Sequence, residues 1–172
     1  MNQVYLLTGK PGTGKTTLIK QAIAGMREKA GGFYTEEIRR GGVRQGFRLV
    51  TLGGEETILA HVDIHSPYRI GKYGVDTDSL DKVGVSALNQ AVKERQVVVV
   101  DEIGKMELFS ANFRETAWQT VNSGKKVLGT IMFKANPWAD AIKRQPQVNL
   151  VEVTRVNRQR VLEELLLWLE AD

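Results

Sequence analysis

The chain has 172 residues and a net charge of +4, with 42% hydrophobic and 26% charged residues, so one globular domain is predicted. No apolar run reaches the roughly 20 residues that cross a bilayer, and no cationic segment precedes the first apolar run, so neither a membrane span nor a signal peptide is expected. The absence of cysteine excludes disulfides, thiolate zinc sites and a cysteine nucleophile, and a cytoplasmic protein is therefore predicted.

The first predicted strand leads through a glycine-rich loop into a helix. Residues 3–8 form a continuous apolar run, as a parallel strand covered on both faces requires. The loop fits the pattern G-x-x-x-x-G-K followed by serine or threonine. Its residues are Gly9, Lys10, Pro11, Gly12, Thr13, Gly14, Lys15, Thr16 and Thr17. Glycines allow backbone N–H groups to surround a phosphate chain, and the N-terminus of the helix attracts the same anion.

This loop is therefore predicted to bind the phosphates of a nucleotide. Lys15 places a mobile positive charge within reach of the β- and γ-phosphates, so it is a candidate catalytic residue. The hydroxyl of Thr16 is predicted to bind Mg²⁺.

The segment after the first helix has a different sequence pattern. The helix is predicted over residues 15–30 and is expected to end at a glycine pair. Short alternating runs at 32–38, 43–51 and 56–61 then predict antiparallel strands, with another extended piece at 68–75. Residues 32–74 are interpreted as a β-hairpin insertion within a single domain that spans residues 1–172.

Four arginines lie within ten residues of this insertion. An arginine delivered to a γ-phosphate would stabilise the negative charge of the transition state, whereas the alternative is a solvated basic hairpin. The four candidates are Arg39, Arg40, Arg44 and Arg48.

The second half of the chain alternates helices and strands. Capped helices are predicted to begin near residues 76–78, 110 and 136, strands at 97–100, 126–132 and 148–153, and a last helix up to the C-terminus. This alternation predicts an α/β fold with a mostly parallel sheet and helices on both faces, decorated by the hairpin insertion.

Two acidic residues follow the four valines of the strand at 97–100. Asp101 is expected at the carboxyl edge of the sheet, where ligands bind in this fold class, and is predicted to hold Mg²⁺ directly or through an intervening group. Glu102 can turn toward the γ-phosphate because Ile103-Gly104 allows the chain to bend. Glu102 is therefore the candidate general base for a water molecule.

Other polar residues are weaker candidates. Thr130 could lie beside the attacking water or bond to backbone, and Lys105 could touch phosphate or face solvent. Asn157 and Arg158 follow the last strand, where a loop can reach the base and ribose, although Asn157 could instead cap a helix. The two histidines lack metal-ligand spacing and are interpreted as structural.

Several short sequence segments resemble those of a known family and occur in this chain order. They are GKPGTGKTT, GGFYTEEIRRGGVRQGF, RIGKYGVD, VVVVDEIGKMELFS, LGTI and VTRVNRQ. With them the chain resembles the small P-loop nucleoside-triphosphatases of thermophilic bacteria and archaea, whose vertebrate relative is called cancer-related nucleoside-triphosphatase. The resemblance implies Mg²⁺-dependent hydrolysis of ATP, GTP and other nucleoside triphosphates with little base preference. It also implies a three-layer P-loop fold of recombinase-like strand order, in which another strand separates the phosphate-loop strand from the Asp101 strand.

Two other functions use the same residues. A nucleotide or polynucleotide kinase would need an acceptor pocket and a lid that excludes water, and the arginine hairpin could supply the lid. A nucleotide-gated switch would couple turnover to nucleic acid or a protein. Nucleic acid is permitted by the small positive charge but is not favoured, because the basic residues are spread without interleaved aromatics. The carboxylate directly after Asp101 favours hydrolysis.

Overall fold

The computed structural model describes residues 3–171, and a mixed β-sheet forms its centre. In chain order the elements are β1 (Val4–Thr8), α1 (Lys15–Ile23), β2 (Ala30–Arg40), β3 (Val43–Thr51), β4 (Glu56–His61), β5 (Arg69–Ile70), β6 (Tyr73–Val75), α2 (Thr77–Ser79), a π-helical segment (Leu80–Val85), α3 (Ser86–Glu94), β7 (Val97–Ile103), a 3₁₀ turn (Glu107–Phe109), α4 (Ala111–Val121), β8 (Lys126–Ile131), α5 (Pro137–Lys143), β9 (Val148–Glu152) and α6 (Arg158–Glu170).

The strands follow the order β5-β6-β4-β3-β2-β7-β8-β1-β9. Neighbouring strands are parallel in the part of the sheet that runs from β2 through β7, β8 and β1 to β9. They are antiparallel in the part that runs from β2 through β3, β4 and β6 to β5. Strand β8 lies between the phosphate-loop strand β1 and the Asp101 strand β7. The predicted fold class, a mostly parallel sheet of recombinase-like order with antiparallel strands added, is confirmed.

Strand β2 joins the two parts of the sheet. Its first residues, Ala30 to Phe33, pair with Val97 to Val100 of β7, and its remaining length pairs with β3 alone. The β2–β3 ribbon therefore runs past the carboxyl end of β7. Since ligands bind outside the carboxyl ends of parallel strands, the ribbon projects on the side where a nucleotide is expected.

The predicted end of the first helix was wrong. Helix α1 ends at Ile23, and the glycine pair at Gly31 and Gly32 lies inside β2 instead of stopping a helix. A Cβ at Gly31 would lie 2.9 Å from the Cβ of Ala91 in α3, so close packing of helix on strand requires glycine there. The sequence pattern did not distinguish this packing from a helix stop.

Alternate residues of β7 face opposite layers of the molecule. Val98 and Val100 belong to a core that includes Phe33 and Phe113, on the side of α3 and α4. Val97 and Val99 belong to a second core on the side of α1 and α6. Each fully buried side chain of this size contributes about 1.5–3 kcal/mol, so both helix layers are fixed by the valine strand. This three-layer arrangement places Asp101, the next residue with the parity of Val99, on the α1 side.

The predicted helix caps are confirmed. The Asp76 side chain accepts a hydrogen bond from the Ser79 backbone N–H, and Ser110 Oγ accepts one from Phe113. Asn136 directly precedes α5, and its side chain accepts hydrogen bonds from the backbone N–H groups of Trp138 and Ala139 in the first turn of that helix. No helix within residues 3–171 is long and apolar enough to cross a membrane.

Candidate active site

The phosphate loop connects β1 to α1 and lies against the end of β9. Gly9 has φ 141°, and a Cβ there would lie 2.6 Å from the carbonyl oxygen of Val153, so glycine allows the close approach of the two chains. The backbone N–H of Val153 also donates to the Thr8 carbonyl at 2.8 Å. Gly14, at φ 86°, precedes the first turn of α1. The backbone that could surround a phosphate is thus fixed to the sheet at one end and to a helix at the other.

The Lys15 ammonium lies across this loop. Its Nζ donates to the carbonyl oxygens of Gly9, at 3.1 Å, and Lys10, at 2.9 Å. Burial lowers the pKa of Lys15, while the negative charges of Glu102 and Asp101 oppose that shift. A mobile cation and two carboxylates therefore share one electrostatic environment at the carboxyl edge of the sheet.

Asp101 connects the phosphate loop to the central strands. Its Oδ2 accepts a hydrogen bond from Thr16 Oγ1 at 2.7 Å, and its Oδ1 accepts one from Thr130 Oγ1 at 2.6 Å. The side chain is only 2% exposed. Burial raises the pKa of Asp101, and the two hydroxyl donors and then Lys15 and Lys20 act in the opposite direction. Thr130, from β8, thus orients Asp101 and does not bond to backbone through its hydroxyl.

The residues around Thr16 suit a magnesium ion. Because the Thr16 hydroxyl donates its hydrogen to Asp101, its oxygen lone pairs remain available to a cation. Hydroxyl and carboxylate oxygens are ligands that Mg²⁺ prefers. The described residues contain no group of three or more His, Cys, Asp or Glu side chains that could hold a metal alone. Mg²⁺ in nucleotide sites usually takes several of its ligands from phosphates and water.

Glu102 follows Asp101 and is partly buried. Burial, reinforced by the neighbouring charge of Asp101, raises the pKa of Glu102 to about 7, while Lys15 acts in the opposite direction. Its side chain lies against Gly104, where an added Cβ would be 2.6 Å from Glu102 Oε1. The carboxyl group therefore folds back over the turn that follows β7.

The predicted arginines divide between the two faces of the β2–β3 ribbon. Arg39 Nη2 lies 2.7 Å from Glu37 Oε2, and Arg44 Nη1 lies 3.2 Å from Glu37 Oε1. Arg44 Nε also donates to the hydroxyl of Tyr73 at 2.9 Å. Arg39 and Arg44 are thus engaged within the ribbon and with Tyr73 of β6, and Arg40 is exposed near the hairpin tip.

Arg48 lies on the same face of the ribbon as α1. It is directly opposite Glu36 across the antiparallel pair, and opposite residues share a face. Glu36 Oε1 accepts a hydrogen bond from Lys20 Nζ of α1 at 2.9 Å. The Nε of Arg48 is buried and has no hydrogen-bond partner among residues 3–171, and Nη1 is 3.8 Å from Glu56. Among the four arginines, Arg48 is therefore the one that lies on the same side of the ribbon as the phosphate loop and also has a guanidinium N–H without a hydrogen-bond partner in the described residues.

The two residues expected after the last strand have different environments. The amide of Asn157 is engaged within its own loop, accepting from the Thr154 N–H and donating to the Glu152 carbonyl, both at 2.8 Å. Arg158 packs on the phosphate loop, since a Cβ at Gly14 would lie 2.9 Å from its Cζ. Its buried Nε has no hydrogen-bond partner within the described part of the chain.

A family profile described as NTPase matches residues 4–166. The chain belongs to this NTPase family. It is 47% identical over 161 residues to the nucleoside-triphosphatase THEP1 of Thermotoga maritima, covering 94% of this chain and 92% of that protein. The crystal structure of THEP1 from Aquifex aeolicus superposes with a TM-score of 0.88 at 36% identity, covering 98% and 99% of the two chains. The solution structure of a human cancer-related nucleoside triphosphatase gives 0.83 at 37% identity, covering 99% and 98%. The resemblance inferred from the sequence blocks is confirmed.

One buried acid beside the candidate site was missed by the sequence analysis. Glu107, in the 3₁₀ turn after β7, is 3% exposed. Burial, followed by the charges of Glu102 and Asp101, raises the pKa of Glu107 well above its ordinary value. An acid flanked by Met106 and Leu108 was the available signal, because a charged residue between apolar ones after a buried strand is often enclosed with them.

The remaining candidates lie away from this cluster of carboxylates or face solvent. Lys105 is exposed. His61 Nδ1 accepts a hydrogen bond from the Asp63 backbone N–H at 3.1 Å, and His65 is exposed.

Proposed function

We propose that the protein is a Mg²⁺-dependent nucleoside-triphosphatase of the cytoplasm that hydrolyses ATP, GTP and other nucleoside triphosphates to the diphosphate and phosphate. The observation that carries the proposal is the hydrogen bond from Thr16 to Asp101, since it joins a phosphate-binding loop to the strand end that bears Glu102. Family membership and the names of the relatives support the reaction class.

The residues of the loop hold the triphosphate in this proposal. The backbone N–H groups of residues 9–17 and the N-terminus of α1 bind the phosphate oxygens. The Lys15 ammonium leaves the carbonyls of Gly9 and Lys10 and binds the β- and γ-phosphates instead. Thr16, held by Asp101, would bind Mg²⁺, which when present neutralises charge on the same phosphates.

Glu102 is the proposed general base. The oxygen of a water molecule attacks the γ-phosphorus, the bond from that phosphorus to the bridging oxygen breaks, and Glu102 accepts a proton of the water. A base is most effective when its pKa is near the working pH, and burial raises the pKa of Glu102 to about 7. Asp101 is less suited to this role, because its side chain is only 2% exposed and both of its oxygens are held by the hydroxyls of Thr16 and Thr130.

Arg48 and Arg158 are the proposed supplementary cations. Each has a buried Nε without a hydrogen-bond partner in the described residues, so each can donate to a phosphate or ribose oxygen without losing an existing Nε bond. Arg39 and Arg44 would first have to leave Glu37. The amide oxygen and nitrogen of Asn157 both form hydrogen bonds within its own loop. Because these groups are already engaged, Asn157 is poorly placed to distinguish one base from another, which supports broad base tolerance.

The experiment that tests this function is phosphate release from ATP, GTP, CTP and UTP with Mg²⁺ and no acceptor. The proposal expects release from all four within about one order of magnitude, unchanged by added nucleosides, RNA or DNA, because the proposed contacts are to the triphosphate and Mg²⁺, which all four substrates share. Transfer of labelled phosphate to an acceptor would identify a kinase instead. Release only upon addition of nucleic acid would identify a switch.

A further inference from the structure

We propose that Gly104 is a positioning residue for Glu102, because the absence of a side chain at position 104 makes the space in which the catalytic carboxylate lies. The inference rests on the proposed role of Glu102 as general base. It assigns to Gly104 a function in catalysis and not in the folding of the turn.

The contact is close and involves the carboxylate end of Glu102. A Cβ at position 104 would lie 2.6 Å from Glu102 Oε1, 2.8 Å from Cγ and 2.9 Å from Cδ. All three distances are below van der Waals contact, so a methyl group at this position and the present conformation of Glu102 are incompatible.

Backbone conformation does not require glycine at position 104. Gly104 is absent from the glycines of positive φ, which include Gly9 and Gly14 of the phosphate loop. An alanine could therefore adopt the same backbone angles, and substitution removes backbone entropy from the unfolded chain. The reason for glycine is the neighbouring side chain.

The side chain, and not the backbone, would yield to the added methyl group. The Ile103 carbonyl accepts from Met132 N–H at 3.0 Å, and the Gly104 carbonyl accepts from Leu108 N–H at 3.0 Å, so hydrogen bonds hold the turn on both sides of the peptide unit. In contrast, no side-chain hydrogen bond or ion pair within residues 3–171 anchors the Glu102 carboxylate. Its position is therefore determined by packing alone, so a methyl group at position 104 would displace the carboxylate.

Other tightly packed glycines behave differently. A Cβ at Gly46, Gly74 or Gly129 would lie 2.0–2.2 Å from a backbone oxygen of a neighbouring segment. Substitution at those positions would displace the chain itself. At Gly104 the same change is expected to move one carboxylate and to leave the fold intact.

The test compares Gly104→Ala with Gly25→Ala in steady-state phosphate release. Gly25 is the matched control, because an added Cβ there has no neighbour within 4 Å and φ is not positive. Misplacing a catalytic group by about 1 Å can cost roughly 10²-fold, so Gly104→Ala should lower kcat at least about tenfold with KM within about twofold. Gly25→Ala should retain the parent kcat, and both variants should retain the Tm of the parent within about 3 °C.

The Glu102→Gln variant separates this inference from the proposed function. Gly104→Ala combined with Glu102→Gln should be no slower than Glu102→Gln alone, because the methyl group acts only through the carboxylate. A Gly104→Ala protein with the parent kcat, beside a slow Glu102→Gln protein, would overturn the positioning role and leave the base assignment standing. An inactive parent would reject the proposed function itself.

A crystal structure of Gly104→Ala tests the contact without activity. The Glu102 carboxylate should leave its place over residue 104 while the backbone of 101–108 stays in position, and an unmoved carboxylate would overturn the inference. If Gly104→Ala does not fold, the double variant Glu102→Ala with Gly104→Ala tests whether the contact with Glu102 is the cause. Recovered folding would support the steric contact with Glu102, and failure to recover would place the contact elsewhere and contradict it.

Discussion

The hydroxyl of Thr16, in the first turn of α1, donates a 2.7 Å hydrogen bond to Oδ2 of Asp101 at the end of β7. Asp101 receives a second hydrogen bond from Thr130 on the neighbouring strand β8. Three segments that are distant in sequence thus meet at one buried carboxylate. This arrangement makes the conformation of the phosphate loop depend on the end of the valine strand.

Replacing Asp101 with Asn should weaken activation by Mg²⁺. Asn has one acceptor oxygen where Asp101 uses two, so either Thr16 or Thr130 would face an NH₂ donor. Loss of a group that orients a metal ligand typically costs 10- to 100-fold in metal affinity or activity, and we expect roughly that shift in the Mg²⁺ concentration for half-maximal phosphate release. The measurement is a Mg²⁺ titration at saturating ATP, with Asn112→Ala, a change on the exposed surface of α4, as control. An unchanged Mg²⁺ requirement would contradict the role of Asp101.

Lys15→Ala should abolish nucleotide binding or turnover. The variant removes the only side-chain charge that the described loop places directly over the Gly9 and Lys10 carbonyls, where the β- and γ-phosphates are expected. Losing one partner of a buried charge pair costs roughly 2–5 kcal/mol, so affinity for a nonhydrolysable ATP analogue should fall more than about tenfold. Lys10→Ala is the matched control, because Lys10 is exposed. Equal weakening by both variants would show that only general positive charge matters.

Arg48→Ala should lower turnover more than Arg39→Ala. Arg48 faces the α1 side of the ribbon with a free Nε, whereas Arg39 is paired to Glu37 on an exposed surface, where ion pairs contribute only about 0–1 kcal/mol. An arginine that reaches the transferred phosphate is worth on the order of 10³-fold or more. Single-turnover phosphate release distinguishes the two variants. Equal rates for the parent and Arg48→Ala would contradict a role for Arg48 in turnover and would favour the alternative, a solvated basic hairpin.

Glu107→Gln should change the pH dependence of stability. Burial raises the folded-state pKa of Glu107, so the folded protein holds a proton that the unfolded chain releases near pH 4.3. The stabilising contribution is complete below that pH and is lost as pH rises toward and through the folded-state pKa. The Gln variant lacks this loss and should gain stability relative to the parent as pH rises.

Urea unfolding at several pH values from 4 to 8 without Mg²⁺ would measure this difference. Glu115→Gln, at an exposed position of α4, supplies the control and should follow the parent. A constant difference between parent and Glu107→Gln across this range would contradict a protonated Glu107 in the folded state.

The sequence predicted the parts of the site that depend on local pattern. The phosphate loop, the valine strand with its two acids, and the caps at Asp76, Ser110 and Asn136 are each specified by a few adjacent residues. The resemblance blocks added the strand order, which local pattern alone does not determine.

The features that escaped prediction depend on contacts between distant segments. Thr130 bonds to Asp101 because β7 and β8 are parallel neighbours, a pairing that neither strand reveals by itself. The end of α1 was misplaced because Gly31 packs against Ala91 of α3. The burial of Glu107 depends on the 3₁₀ turn in which it lies. Which of Arg39 and Arg48 can approach a bound phosphate depends on which face of the β2–β3 ribbon contacts α1.

The most direct test of the account is single-turnover hydrolysis of ATP by Glu102→Gln beside a binding measurement with a nonhydrolysable analogue. The side chain keeps its size but cannot accept a water proton, so the variant should bind the analogue like the parent and hydrolyse ATP roughly 10²-fold or more slowly. Hydrolysis at the parent rate with unchanged binding would contradict the assignment of Glu102 as the general base.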